Sequence, residues 1–173
     1  MKNFYYLHFK EDDGGVVKVC EEGGNYDGEL QSDNIQSPFQ FVLPEGVLQD
    51  YQANDLGWPL MSAALQQVLA QAAIANGVVW NEALIKAGEE ICVYYVPRFL
   101  VRPNVLNETF SKIVRGPIGD IVVKACLAAS KVQEYDFFPI PGSDIRLIVS
   151  GPIKYRIESL KLSGVDFSTV PVS

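Results

Sequence analysis

The hydrophobic positions of the chain fall into two spacings, one typical of strands and one typical of helices. Short runs that alternate in polarity, or that are rich in β-branched and aromatic residues, predict strands. The turn sequence Asp13-Gly14-Gly15 lies between the first two runs and predicts that they pair as an opening hairpin. The predicted strands are Phe4–Phe9, Val16–Cys20, Phe39–Leu43, Ile91–Leu100, Lys112–Arg115, Asp120–Leu127 and Phe137–Ile140.

Helical spacing occurs in two segments that share one outline: an apolar run, a serine, an amphipathic stretch, a glycine and a closing strand. Ser62 and Gly77 are 15 positions apart (77 − 62), and Ser150 and Gly164 are 14 apart (164 − 150). A serine before a helix caps a free backbone N–H, and glycine adopts the positive φ that ends a helix. The apolar positions predicted to face the core are Leu65, Val68, Leu69 and Ala72 in the first segment, and Ile153, Ile157 and Leu160 in the second.

Together these elements predict an α+β fold, in which a mixed, mainly antiparallel sheet carries two short Ser-capped helices in a repeated strand–helix–strand unit. The stretches Val47–Asn54 and Glu82–Gly88 are assigned to short helical turns or loops. No low-complexity linker divides the sequence. We therefore expect one domain over residues 1–173, with an acidic part at 1–55 followed by a second part at 56–173.

The net charge of −7 is distributed unevenly. From Glu11 to Asp55 there are eleven acidic residues against Lys18 alone, a balance of −10, whereas from Leu56 onwards ten acidic and eleven basic residues leave +1. A nucleic-acid-binding domain needs the opposite sign, so we expect no DNA or RNA partner. The acidic part is either a solvated loop surface or a patch that attracts a basic protein partner.

Aromatic residues lie among these acids, and three of them, Tyr26, Tyr51 and Trp58, adjoin charged stretches. Aromatic side chains beside a charged rim are typical anchors of protein interfaces, although burial in the core is the commoner fate of such residues. We take the acidic and aromatic residues together as candidates for contact with a partner. The candidate partner-binding residues are Glu21, Glu22, Tyr26, Asp27, Glu29, Asp33, Tyr51, Asp55 and Trp58.

Other features bound the location and the redox state of the protein. No apolar run is long enough to span a bilayer, and the first residues lack the pattern of a secretory signal, so we expect a cytoplasmic protein without a membrane partner. Cys20, Cys92 and Cys126 are odd in number and far apart. This favours reduced structural thiols over disulfides or a zinc site. No metal and no other cofactor is predicted.

Candidate catalytic groups are few. His8 is the single histidine and would form a dyad with Cys20 if the first two strands pair, but no third group at a recognisable spacing would orient it. A pair of carboxylates is a further option, because the sequence does not give their separation. We expect a protein that is not an enzyme. The alternatives are a small cytosolic hydrolase that uses Cys20 and His8 or a carboxylate pair, and a structural or adaptor module of a larger assembly.

The later part of the chain carries the motifs of a known family. They comprise a Pro-Leu-Met-Ser helix start at Pro59–Ser62, a Phe-Phe strand, a Gly-Ser turn, a Val-Ser helix start and a Gly-Val-x-Phe strand. The last four lie at Phe137, Phe138, Ile140, Gly142, Ser143, Val149, Ser150, Gly164, Val165 and Phe167. On these motifs the segment Gly57–Val170 resembles a bacterial immunity-protein family encoded beside polymorphic toxins, the Myxococcus-type immunity protein domain. Pro139 departs from the pattern, since the family often has a basic residue there.

The resemblance implies a function as well as a fold. An immunity protein of this kind binds a cognate toxin and neutralises it by occlusion, without chemistry of its own. The first 55 residues lie outside the resemblance and would form the variable part that sets partner specificity. Their acids would face a basic surface of the toxin, and self-association into a homo-oligomer is compatible with this function. The motifs are structural, so the resemblance implies no catalytic residue.

Overall fold

The computed structural model describes residues 2–10, 14–20, 38–117 and 119–173. Over these residues the protein is α+β, with three short helices and mostly antiparallel, partly mixed sheets, which confirms the predicted fold class. The elements in chain order are β1 (Phe4–Phe9), β2 (Lys18–Val19), β3 (Phe39–Leu43), β4 (Tyr51–Gln52), β5 (Leu60–Met61), α1 (Ala63–Ala72), β6 (Val78–Ala87), β7 (Glu90–Phe99), β8 (Lys112–Val114), β9 (Ile121–Lys124), α2 (Ala129–Val132), β10 (Phe137–Pro139), β11 (Leu147–Ser150), α3 (Gly151–Ser159) and β12 (Val165–Val170).

A four-stranded antiparallel sheet has the order β10-β11-β1-β12 and carries a hydrophobic core on each face. Successive side chains of a strand point to opposite faces. Phe4 therefore packs on one face with Ile148, whereas Leu7 packs on the other face with Leu147, against α1 and α3. Because both faces of the sheet are covered by a core, β1 is apolar at nearly every position.

A six-stranded sheet has the order β2-β3-β6-β7-β5-β4. β3 runs parallel to β6, and the other neighbours are antiparallel. The two longest strands, β6 and β7, form a hairpin that turns at Gly88, where a φ of 63° favours glycine. Phe39, Phe41, Trp58 and Ile85 pack together on one face of this sheet and form its core.

The strands β8 and β9 form a separate two-stranded sheet. Ile113 and Val122 are cross-strand partners, and both belong to the core that Phe4 shares. Leu127 forms single bridges to Leu106 and to Val172, which join the connection before α2 to the end of the chain. This hairpin therefore covers one face of the four-stranded sheet.

The first serine-started helix is as predicted. The Ser62 hydroxyl accepts a hydrogen bond from the Leu65 N–H at 3.3 Å. Leu65, Val68 and Leu69 are buried, as their spacing requires. Their burial places α1 on the core that lies between the helices and the four-stranded sheet.

The second serine-started helix departs from the prediction in two ways. Pro152 lies in the first turn of α3 and Ile157 is buried, but Leu160 lies beyond the last helical residue and is 53% exposed. The Ser150 hydroxyl makes no capping hydrogen bond. Ser150 is the N-cap residue of α3, as predicted, but the prediction that its hydroxyl accepts a capping hydrogen bond is wrong. Ser150 is the last residue of β11 and is fully buried, with its N–H donating to the Asp136 carbonyl.

The predicted opening hairpin is also wrong. β1 lies between β11 and β12, whereas β2 pairs with β3, with Lys18 opposite Val42. A turn signal predicts a change of direction, but the burial of apolar faces decides which strands pair. Val17 lies in the core with Phe39 and Phe41, which holds β2 in the six-stranded sheet.

Two further segments form strands where the sequence predicted helical turns or loops. Glu82–Gly88 overlaps the second half of β6, and Val47–Asn54 contains β4. Residues 82–88 include several good helix formers, yet pairing along the whole of β7 overrides that weak preference. The short helix α2 was not predicted.

Candidate functional site: an apolar groove on the six-stranded sheet

The face of the six-stranded sheet opposite its aromatic core carries two rows of cross-strand neighbours. Directly opposite residues in a sheet point to the same side. Leu84 is opposite Val93 and Lys86 is opposite Ile91, and β3 and β2 extend both rows. We call this surface the sheet groove, and its residues are Lys18, Cys20, Gln40, Val42, Leu84, Lys86, Ile91 and Val93.

The sheet groove is concave and leaves aliphatic side chains in contact with solvent. A cavity of about 430 Å³ is lined by Val42, Leu84, Lys86 and Ile91, among others. Ile91 is 67% exposed near the turn of the β6–β7 hairpin, and Val93 is 43% exposed two residues further along β7. Contiguous exposed aliphatic residues on a regular sheet are typical of a protein-binding surface.

The opposite end of the same sheet face is covered, which defines where the groove begins. Tyr95 follows Val93 on this side of β7 and is opposite Met61 of β5. Met61 is fully buried with Leu65 of α1, and α1 contacts both β5 and β7. The groove is therefore the part of this face that lies beyond the cover of α1.

The groove borders both ends of residues 21–37, which we call the acidic segment. Cys20 lies in the groove and Pro38 directly precedes β3, and the two residues flank residues 21–37. Six of the candidate partner-binding residues lie outside the described part of the chain, so their predicted role stays a prediction. These six are Glu21, Glu22, Tyr26, Asp27, Glu29 and Asp33.

Asp55 is the candidate acid that the structure does place near the groove. Its carboxylate accepts from the Val19 N–H at 3.2 Å and 3.3 Å, and its own N–H donates to the Val17 carbonyl at 3.2 Å. The side chain is exposed, and it fixes the edge strand β2 against the rest of the sheet. Asp55 therefore positions one wall of the groove.

Tyr51 and Trp58 are core residues, so the prediction that they anchor an interface is wrong. Tyr51 is 2% exposed and stacks on Phe9 with ring centroids 4.3 Å apart, and Trp58 is 7% exposed and meets Phe39 edge-on at 4.8 Å. Burial raises the pKa of the Tyr51 hydroxyl far above its ordinary value. Acidic residues lie near both in sequence, but packing in the two cores buries both rings, so neither presents a side chain to a partner.

The alternative of a dyad between His8 and Cys20 is not supported by the structure. β1 and β2 belong to different sheets, and the His8 Nε2 atom lies 2.7 Å from the Ser168 hydroxyl oxygen on β12. Asp166 is the register partner of His8, yet its Oδ1 atom accepts from the Phe167 N–H at 2.8 Å. The imidazole is thus part of the polar surface at the edge of the four-stranded sheet.

One pair of carboxylates faces a shared cavity. Glu108 and Asp120 both line a space of about 280 Å³ beside the β8–β9 hairpin. Glu108 also forms an exposed ion pair with Arg115 at 3.3 Å. Across the described ranges, no group of three or more His, Cys, Asp or Glu side chains has the proximity to hold a metal ion. Within the same residues, no helix is both long and apolar enough to cross a membrane.

The groove residues on β6 and β7 were missed at the sequence level. The available signal was alternation, since Leu84 and Lys86 share one face and Ala83 and Ile85 share the other. β7 is apolar on both faces, which hid its exposed side. No protein-family model and no curated protein matches the chain.

Proposed function

We propose that this protein is an immunity protein, which binds a cognate bacterial toxin in the cytoplasm and neutralises it by occlusion, without chemistry of its own. The observation that carries the proposal is the sheet groove. It combines exposed aliphatic residues with two lysines, and it borders both ends of residues 21–37. The resemblance of Gly57–Val170 to a toxin-immunity family supports the same function.

The groove has the composition of an interface centre. Ile91 and Val93 offer aliphatic area that a partner would remove from water, at roughly 25 cal/mol per Å². Lys86 lies between Val42 and Ile91 in the groove and Lys18 is opposite Val42, and charges at an interface give specificity more than affinity. The acids of residues 21–33 would add a negative field that attracts a basic toxin surface.

Substitutions in the groove test the contact directly. We expect the double change Ile91→Glu and Val93→Glu to weaken binding of the neighbouring gene's product by at least about tenfold, because two carboxylates replace the apolar centre. The measurement is a pull-down followed by calorimetry. The matched control is Val123→Glu, because Val123 is 49% exposed on β9, outside the groove. Equal affinity of both variants would contradict the proposal, as would no affinity of the unaltered protein.

Charge reversal tests the acidic segment separately. Replacing Glu21, Glu22, Asp27, Glu29 and Asp33 by lysine should slow association and reverse its dependence on salt, because attraction to a basic partner becomes a repulsion that salt screens. Stopped-flow measurement at two ionic strengths reports both effects. Unchanged protection of cells against the toxin would remove these acids from the contact surface while leaving the groove test intact.

A hydrolase is the second candidate, because Glu108 and Asp120 share a cavity. Two carboxylates on one cavity are the minimum for acid–base hydrolysis of a glycoside. The combined change Glu108→Gln and Asp120→Asn separates the two functions. Loss of a measured turnover in this variant would support the hydrolase, whereas full protection against the toxin would support the immunity function.

A further inference from the structure

β12 differs from the other strands that lie at the edge of a sheet. β2 and β4 have two residues each, and β10 has three, one of which is Pro139. β8 and β9 end in exposed lysines, Lys112 and Lys124. Short edges, proline and lysine all hinder pairing with another chain. β12 has six residues, pairs with β1 along its whole length, and contains no proline, lysine or arginine.

The outer backbone groups of β12 follow from the antiparallel ladder. The Phe167 N–H donates to the Asp166 Oδ1 atom at 2.8 Å, so Phe167 directs its backbone away from β1. In an antiparallel pair these directions alternate from residue to residue. Val165, Phe167 and Thr169 therefore present their N–H and C=O groups on the outer side of the sheet.

We propose that β12 pairs antiparallel with β12 of a second copy of this chain, which joins two four-stranded sheets into one continuous sheet of eight strands. The pairing is centred on Phe167, which meets Phe167 of the second copy across a two-fold axis. Val165 then lies opposite Thr169, and Asp166 lies opposite Ser168. Each outward residue donates one backbone hydrogen bond and accepts another, for which the Phe167 N–H gives up its bond to the Asp166 carboxylate.

On one face of the sheet, the centred register extends an aromatic cluster that already exists. Phe167 lies 6.5 Å from Tyr5, and the Lys154 ammonium group lies 5.4 Å from the Phe167 ring and 5.0 Å from the Tyr155 ring. Tyr155 is 61% exposed beside this edge. A second Phe167 ring would complete a cross-strand aromatic pair and bury part of this exposed cluster.

On the other face, the same register places the Asp166 carboxylate beside polar groups of the second copy. Asp166 meets Ser168 of the second copy, a hydroxyl that lies 2.7 Å from the His8 ring within its own chain. The carboxylate thus faces a hydroxyl and an imidazole. A shift by two residues would set Asp166 against its own copy, and like charges directly opposite are destabilising. The centred register therefore avoids this contact between like charges.

The oligomeric state tests the proposal. We expect sedimentation equilibrium to give twice the chain mass of 19.1 kDa. Thr169→Pro should give a monomer with unchanged circular dichroism, because it removes one outward N–H and no bond to β1. Thr169→Val is the matched control and should remain dimeric. If Thr169→Pro does not fold, Phe167→Lys decides, because it sets two ammonium groups against each other at the axis.

Disulfide trapping tests the register. Phe167→Cys should form a disulfide-linked dimer under mild oxidation, because hydrogen-bonded partners have Cα atoms about 5.5 Å apart, within disulfide range. Thr169→Cys should not, because Thr169 faces Val165 and not its own copy. A monomeric unaltered protein, or equal trapping of both variants, would overturn the proposal. Neither result would affect the toxin-binding tests, which concern the groove on the other sheet.

Discussion

The two serine-to-glycine segments read alike in sequence and differ in structure at both ends. Ser62 caps α1 by accepting from Leu65, and its hydroxyl donates to the Asp50 carboxylate at 2.6 Å. Ser150 is fully buried, does not cap α3, and its hydroxyl has no hydrogen-bond partner. A serine before a helix thus predicts where the helix starts, whereas the surrounding packing decides what the hydroxyl does.

The closing glycines also differ, and here the second segment has the tighter packing. Gly77 and Gly164 both have positive φ, 62° and 73°. A side chain on Gly77 would reach only the Leu100 side chain, at 3.5 Å. A side chain on Gly164 would overlap the Tyr51 carbonyl oxygen and lie 2.8 Å from the Gln49 Cβ atom. The second segment is thus the more tightly enclosed at its end, and the first is the better capped at its start.

Asp50 joins the two segments. Its Oδ1 atom accepts from the Ser62 hydroxyl, and its Oδ2 atom accepts from the Ser163 N–H at 2.8 Å and hydroxyl at 3.0 Å. The start of α1 and the start of β12 are therefore held by one carboxylate. Asp50 belongs to the acidic part of the sequence, and its role in the described structure is to connect elements rather than to add surface charge.

The largest expected effect comes from the glycines. We expect Gly164→Ala to lower the free energy of unfolding by at least about 3 kcal/mol, because it combines an unfavourable φ with overlap against fixed backbone. Gly77→Ala should cost about 1 kcal/mol, since it has the unfavourable φ alone and a movable leucine beside it. Urea unfolding of both variants measures the difference. Equal losses would mean that the two segments close in equivalent environments.

The second effect concerns Tyr51, which touches both segments. It pairs with Met61 in β4–β5, and its N–H donates to the Ser163 carbonyl at 3.1 Å. Because burial raises the pKa of Tyr51 above its ordinary value of 10.0, ionisation is opposed in the folded state only. The contribution of Tyr51 to stability should be intact below pH 10 and fall above it, by about 2 kcal/mol at pH 11.5 at 1.36 kcal/mol per pH unit.

Tyr51→Phe isolates this contribution. The variant should lose less stability than the unaltered protein between pH 10 and pH 11.5. It should retain a smaller dependence due to Tyr94, whose pKa is also raised, mainly by burial and in part by the nearby Asp50 and Cys92 charges. Unfolding curves at several alkaline pH values measure the slope. An identical slope in both proteins would show that Tyr51 is accessible to water in the folded state.

The local features of the fold could be predicted from the sequence. Phe39–Leu43 and most of Ile91–Leu100 form strands because their β-branched and aromatic residues suit a pleated surface, and Ser62 starts a helix by a bond within four residues. Gly164 takes a positive φ, a conformation that residues with a Cβ atom rarely adopt. Each of these outcomes depends on a few neighbouring residues, which is the range over which sequence patterns carry information.

Features that depend on distant residues could not be predicted. Tyr51 and Trp58 stand among acids in sequence, yet strands remote in the chain bury them. In the groove, Ile91 and Val93 were recognised as strand residues, but β7 is apolar on both faces, so the pattern did not say which face would lack a cover. That depends on where α1 ends over the sheet, which is a consequence of tertiary packing.

The smallest expected effect comes from the two serines, and it tests the difference between the two segments most directly. Ser62→Ala should lower the free energy of unfolding by about 1–2 kcal/mol, because α1 loses its cap and the Asp50 carboxylate loses a donor. Ser150→Ala should stay within about 0.5 kcal/mol of the unaltered protein or stabilise it, since it removes a buried hydroxyl that has no partner.

Urea unfolding with an unchanged m-value measures both serine changes, and Ser62→Thr serves as the control that keeps a hydroxyl at the cap. Thr should retain most of the stability that Ala loses, because its oxygen can accept from Leu65 in the same way. If Ser150→Ala were as costly as Ser62→Ala, the buried hydroxyl would have a partner after all. The two helix starts would then be equivalent in energy as well as in sequence, and the difference between the segments would reduce to their closing glycines.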